Sequence, residues 1–203
     1  MYFKKVFEVK CMELSPRLYH WFIRPDILNN LYIKGVLGRY FNFTDKKVLD
    51  FGSGIGSASS LCSKAHYIGV DPDSRRIAYA RCLNPGYNFL VLEGTNLPLE
   101  NNSIDYILTL SVLHHIASED FSSYLSEFQR ILKPYGKVVV LEPCLFKKSF
   151  YSNSVMKLCD NGSFIRDYDS YLKMFELKDF KTEFLTQFKK ILYTEILITA
   201  TLP

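Results

Sequence analysis

Three carboxylates and a run of glycines carry the chemistry that this sequence can offer. Asp50 stands just before the turn Gly52-Ser53-Gly54-Ile55-Gly56, Asp71 closes the short run Tyr67-Ile68-Gly69-Val70, and Glu93 precedes Gly94 and Thr95. Glycines at alternating positions remove side chains, so a backbone can pass close to a ligand while it turns into a helix. Backbone N–H groups at such a turn suit a carboxylate or a phosphate, and an acid about 20 residues downstream suits ribose hydroxyls. A dinucleotide fingerprint needs Gly-x-Gly-x-x-Gly. Here the third glycine comes one place early, at Gly56, and Ser57 stands where glycine is wanted, which weakens a nicotinamide-cofactor reading. No Gly-Lys-Ser/Thr follows, so a Walker-type phosphate loop is excluded. A strand-to-helix turn that binds nothing is the plain alternative.

Further signals lie downstream in order. Ile104 to Leu110 reads as a buried strand, and Ser111-Val112-Leu113-His114-His115 follows it. With the glycine turn, Asp71 and the segment Leu92-Glu93-Gly94-Thr95-Asn96-Leu97-Pro98, residues 46 to 142 resemble the class I S-adenosylmethionine-dependent methyltransferases, and within them the small-molecule, type 11 group. The resemblance implies a Rossmann-like, doubly wound α/β fold with a mostly parallel seven-stranded sheet and an antiparallel C-terminal hairpin. It also implies S-adenosylmethionine as cofactor and S-adenosylhomocysteine as product. The implied cofactor contacts are Asp50, Gly52, Ser53, Gly54, Gly56, Asp71, Pro72, Glu93, Gly94, Thr95 and Ser111. Among them Asp71 accepts from the ribose hydroxyls, Glu93 and the Gly94 N–H meet adenine, and Asp50 meets the ammonium directly or through water. The departures from the family pattern are Leu92, where glycine is usual, Glu93, one methylene longer than the usual aspartate, and Pro134-Tyr135-Gly136, where Pro-Gly-Gly is commoner.

Methyl transfer from a sulfonium asks the protein for positioning and exclusion of water, with no catalytic nucleophile. His114 and His115 follow the fourth strand near the acceptor's place, and either can act as general base near neutral pH; a structural role in the turn is the alternative. Cys144 after the fifth strand raises the thought of covalent attack on a pyrimidine, but the further motifs of such enzymes are missing. The region before the first strand is rich in aromatics. The resemblance sets it over the cofactor and acceptor, which makes Tyr19, His20, Trp21 and Arg24 candidates for acceptor contacts, with Glu142 on the same side. A helix docked on the sheet is an equal reading of residues 14 to 44.

These residues need elements to place them. Val48 to Phe51, Tyr67 to Asp71, Tyr87 to Glu93, Ile104 to Leu110 and Lys137 to Leu141 read as strands. Helices are expected over Ser57 to Ala65, from Asp73 or Ser74 with Ile77, Ala80 and Leu83 on one face, and from Ser118, with Glu119 and Asp120, through Phe121, Tyr124, Leu125, Phe128, Ile131 and Leu132. A helix around Tyr168 to Phe175 and strands over Lys181 to Gln187 and Ile191 to Thr201 complete the chain. Alternation of strand and helix means a parallel sheet with ligands at the carboxyl ends of its strands. One domain is expected over 1–203: a cap over 1–44, a cofactor core over 46–142 and a substrate-side tail over 143–203.

The 203 residues, 48% hydrophobic and 23% charged, fit a globular protein with no apolar run long enough to span a membrane. Lys4, Lys5, Glu8 and Lys10 interrupt the first ten residues, so a cytoplasmic location is expected. Five cysteines without a Cys-x-x-Cys pair argue against a disulfide framework or a zinc site, and His20 and His66 lack ligand spacing; no metal is expected. The net charge of +4 is dispersed, with Lys147-Lys148 and Lys189-Lys190 only as pairs. A small-molecule acceptor is therefore expected over nucleic acid. An RNA or protein methyltransferase and a non-catalytic cofactor-binding regulator are the alternatives. The oligomeric state is not legible.

Overall fold

The computed structural model describes residues 33–146, 164–190 and 193–203. They fall into two compact units that divide between Glu93 and Gly94. The first unit holds α1 (Gly35–Tyr40), β1 (Val48–Phe51), β2 (Tyr67–Asp71), α2 (Ser74–Leu83) and β3 (Asn88–Val91). Its three strands are parallel, with Asp50 opposite Gly69 and Gly69 opposite Phe89. Parallel strands covered on both faces need near-continuous apolar side chains, and Val48, Leu49, Phe51, Tyr67, Val70 and Phe89 are all buried. Asp73 caps α2 by accepting from Arg75 N and Arg76 N, as its residue type predicts.

Two expectations fail in this unit. Residues 57 to 65 form no α-helix, but turns and two 3-10 pieces, Ser59–Leu61 and Lys64–His66. Serines compete with a helix for backbone partners, and Ser59 Oγ donates to Asn84 Oδ1 at 3.1 Å while Asn84 Nδ2 donates to Ile55 O at 3.1 Å. The loop is thus tied sideways to the end of α2. Leu83, expected on the buried face of α2 with Ile77 and Ala80, is 40% exposed.

The second unit holds β4 (Ile104–Leu110), α3 (Ser118–Ile131), β5 (Leu132–Leu145), β6 (Arg166–Asp167), α4 (Tyr168–Glu176), β7 (Lys181–Lys190) and β8 (Tyr193–Thr201). Its strand order is β4-β5-β8-β7, with the two-residue β6 pairing the end of β5. β4 and β5 are parallel, whereas β8 runs antiparallel to both β5 and β7. The mixed α/β architecture, mostly parallel with an antiparallel C-terminal hairpin, is the expected one. Phe121, Tyr124, Leu125, Phe128 and Ile131 make the buried stripe of α3, and Phe121 meets Phe128 and Phe175 edge to face. α3 starts at Ser118, as expected. Ala117 holds the cap place without a side-chain bond, and Glu119 and Asp120 in the first turn complement the helix dipole instead.

β5 begins five residues before the expected Lys137, since Leu132 already pairs Ile104. Residues 133–136 then loop out opposite Asp105 before pairing resumes at Tyr106 and Lys137. A Lys133 to Asp105 ion pair of 2.8 Å closes the loop. At its tip Tyr135 has φ 65° and is 94% exposed, so its side chain gains no burial to offset a left-handed backbone. That conformation costs a non-glycine residue roughly 1–2 kcal/mol, and glycine returns part of the gain through its unfolded-state entropy. Tyr135→Gly is expected to raise stability by about 0.5–1 kcal/mol in urea denaturation. An unchanged or lower midpoint contradicts the strain.

Candidate functional site

In the first unit the end of β1 is hooked onto β2. Gly52 N and Ser53 N both donate to Val70 O, at 2.8 and 3.0 Å. Gly54 N then donates to Asp71 Oδ2, and Asp73 N to Asp71 Oδ1, each at 2.9 Å. Asp71 is 6% exposed. Burial raises its pKa from the ordinary 3.8, a pull that the Asp73 N–H, Arg76 and the Gly54 N–H offset only in part. Each carboxylate oxygen has a second lone pair, so the group can still accept from neighbouring hydroxyls. Pro72, half-buried, links it to the cap of α2.

The glycines beside Asp71 differ. Gly54 has φ +55°, and a Cβ built on it meets nothing within 4 Å, whereas a Cβ on Gly56, at φ +81°, falls 2.4 Å from the Phe89 ring. Gly54 therefore keeps a space open, and Gly56 serves packing. Ser53 Oγ, in the same turn, is buried with no hydrogen-bond partner among the described residues. An open backbone, an unpartnered hydroxyl and a carboxylate that can accept more donors fit a ligand with hydroxyl and charged groups. Asp50 is placed differently from the expectation of an open ammonium partner: it is 3% exposed, and Tyr67 donates to its Oδ2 at 2.6 Å. Tyr67 is held well above the ordinary tyrosine value by burial and then by Asp50, so it stays a donor. Glu93 is exposed past the end of β3.

In the second unit Gly94, at φ +76°, is also open on its Cβ side, and Thr95 is half-buried. The segment that follows is stapled to α3: Leu97 N donates to Glu127, while Arg130 donates to Leu97 O, Leu99 O and Asn101 Oδ1. Arg130 holds Glu127 below the usual carboxylate range. Neither residue stands out in the sequence, where an i, i+3 charge pair reads as a solvated helix face.

The turn after β4 is built around Glu142. Ser111 takes φ 58°, and its N–H donates to Leu141 O at 2.8 Å. Glu142 Oε1 accepts from Val112 N and Leu113 N at 2.7 and 2.8 Å, and Oε2 lies 2.6 Å from His114 Nδ1. Glu142 is fully buried and His114 nearly so, while His115, its ring centroid 4.0 Å from that of His114, is half-buried. The short separation of Oε2 and Nδ1 means that one proton is shared between Glu142 and His114. Arg166 answers from the other side, donating to Leu113 O, Ile116 O and Ser118 Oγ. No sequence pattern marked Arg166 or Tyr67.

Tyr19, His20, Trp21 and Arg24 lie outside the described residues, as do Cys11 and Cys159. Cys144 is buried, and burial, reinforced by Asp167 and Asp169, pushes its thiol up to about 12, which leaves almost no thiolate at neutral pH. Among the described residues no group of three or more His, Cys, Asp or Glu has the arrangement to hold a metal, and no helix is long and apolar enough to cross a membrane. Substituting Glu142 tests the turn: Glu142→Gln puts an NH2 group, which cannot accept, in place of one of the two oxygens that meet Val112 N, Leu113 N and His114 Nδ1, and is expected to cost about 2–3 kcal/mol. A loss below about 0.5 kcal/mol in urea denaturation, the range of a neutral surface change, contradicts the arrangement.

Residues 49–140 match the family model described as a methyltransferase domain. The tRNA (carboxymethyluridine(34)-5-O)-methyltransferase of Saccharomyces cerevisiae is 35% identical over 72 residues, 36% of this chain and 26% of that one. The phthiotriol/phenolphthiotriol dimycocerosates methyltransferase of Mycobacterium leprae is 29% identical over 101 residues, 47% of this chain and 37% of that one. The chain thus spans well under two thirds of these curated relatives. In fold it is similar to the crystal structure of a SAM-dependent methyltransferase from Archaeoglobus fulgidus, with a TM-score of 0.70 at 18% identity, covering 91% of this chain and 98% of that one. Residues 49–140 thus match a methyltransferase domain, and the fold is similar to that of S-adenosylmethionine-dependent methyltransferase structures.

Proposed function

We propose that this chain transfers a methyl group from S-adenosylmethionine to an O, N or C atom of a small-molecule acceptor by direct displacement. The observation that carries the proposal is Asp71, buried and pinned by two backbone N–H groups beside the open backbone of Gly54. Bound there, the cofactor supplies an electrophilic methyl group with its leaving group in place. Asp71 accepts from the ribose hydroxyls, and Ser53 Oγ, the hydroxyl of the turn whose own N–H groups at Gly52, Ser53, Gly54 and Gly56 are taken up within the chain, offers the carboxylate a donor. Asp50, engaged by Tyr67, shapes the strand end and sets a negative charge near the ammonium. Glu93, exposed past the end of β3, is the acceptor for adenine in this reading. His115, the more accessible histidine, takes the proton from an O–H or N–H acceptor, while Glu142 and His114 hold the turn that presents it.

RNA is the second reading, favoured by the yeast relative, whose name specifies a tRNA uridine. The two separate by salt: tRNA binding that weakens steeply and linearly with log salt marks a phosphate-tracking surface, whereas a small-molecule enzyme shows no such slope.

Two outcomes test the cofactor assignment. Gly54→Ala fills the open space and is expected to abolish measurable S-adenosylmethionine binding in calorimetry while the chain still folds. Gly56→Ala drives a methyl into Phe89 and is expected to cost about 2 kcal/mol of stability. Equal cofactor affinity in Gly54→Ala and the parent chain contradicts the site. The second outcome concerns pH. Only the ionised carboxylate of Asp71 accepts from both ribose hydroxyls, and its pKa is raised by burial. Cofactor affinity is therefore expected to fall on acidification while an ordinary carboxylate, with its pKa near 3.8, is still ionised. Asp71→Asn flattens this dependence and weakens binding by about 1.5–3 kcal/mol; an unaltered pH profile in that variant contradicts the assignment.

A further inference from the structure

Beyond the carboxyl end of β5 the second unit has an open pocket of about 500 Å³, the size of a drug-like ligand site. Its walls include the rings of Phe146, Tyr168 and Phe184, and Tyr168 meets Phe184 edge to face with centroids 5.5 Å apart. Leu145 and Ile196 add aliphatic surface. The charged groups among the described lining residues are Asp167 and Asp169, with Gln187 the amide, and no lysine or arginine joins them. The negative field reaches inward, since both carboxylates add to the burial that raises the Cys144 thiol.

This combination selects a ligand by chemistry. Aromatic faces attract a cation through their quadrupole, and carboxylates strengthen the attraction through charge-assisted hydrogen bonds. The same carboxylates repel a phosphate or an organic acid. The cavity lies where an α/β sheet offers ligands their place, past a strand's carboxyl end. Asp167 is fixed by its capping bond to Ser170 N at 2.9 Å, so one charge is preset while Asp169 remains exposed.

Resting on the small-molecule reading above, we infer that this cavity is the acceptor site and that the acceptor is a ring-bearing or apolar organic cation, such as an aryl-alkyl amine. When the amine nitrogen is itself the methyl acceptor, it reacts as the free base: its lone pair forms the new N–C bond, the S–C bond breaks, and its proton passes to base or solvent.

The test uses the full chain and three matched probes: phenethylamine as its cation, 2-phenylethanol and 3-phenylpropanoate, titrated by calorimetry with and without S-adenosylmethionine. The amine is expected to bind tighter than the alcohol by about tenfold, the scale of one charge-assisted contact, and the acid not to bind. Asp169→Asn is expected to weaken the amine severalfold and leave the alcohol unchanged, whereas Phe184→Ala weakens both. Alcohol or acid binding as well as the amine, or no binding by any of the three, overturns the inference. Cofactor binding read in the same samples keeps the failures apart: its loss sinks the methyltransferase reading, while its presence with no preference for the amine sinks only the cationic acceptor.

Discussion

Taking a carboxylate out of water costs several kcal/mol unless donors meet it, and Asp71 is the place where this chain meets that cost with its own backbone. One oxygen holds the N–H of Gly54 and the other the N–H of Asp73. A single side chain therefore fixes both the glycine turn after β1 and the entry to α2. The bonds compensate only in part, as the raised pKa shows. The remaining demand for donors is what a ribose can satisfy, so the residue that organises the turn is also the one prepared for the ligand.

The second unit solves a related problem with two side chains. The turn from Ser111 to Ala117 leaves N–H and C=O groups that a helix or sheet does not satisfy, and buried groups of this kind must find partners. Glu142 takes the N–H groups and Arg166 donates to the carbonyls. His114 belongs to this framework through Nδ1, which explains why two adjacent histidines have different exposure and, in our reading, different roles. Arg130 and Glu127 repeat the device on the segment around Leu97.

The legible parts of the sequence were those governed by short-range rules. The strand Ile104–Leu110 is legible to the residue because the turn residues Asn101-Asn102-Ser103 precede its apolar positions Ile104, Ile107, Leu108 and Leu110, and Asp73, with Ser74 as the alternative, is legible as a cap because few residue types take that place. The failures came where a distant partner decides. Residues 57–65 carry helix-like spacing, yet Asn84 draws Ser59 and Ile55 O sideways. Leu132 counts as one more apolar position of α3 until Ile104 pairs it as a strand. In the candidate site, residue types marked Asp71 and Gly54, but Asp50 could not be known to face Tyr67, because that contact depends on strand register. Arg166 was invisible for the same reason: its partners lie some fifty positions away in sequence.

The central claim is that this domain moves methyl groups onto small molecules. Its most direct test is to incubate the chain with methyl-labelled S-adenosylmethionine and a fractionated cell extract, and to follow where the label goes. The account predicts label in the small-metabolite fraction, retained in cationic species and lost with Gly54→Ala. Label confined to RNA or protein, or a cofactor that binds without any transfer, contradicts it.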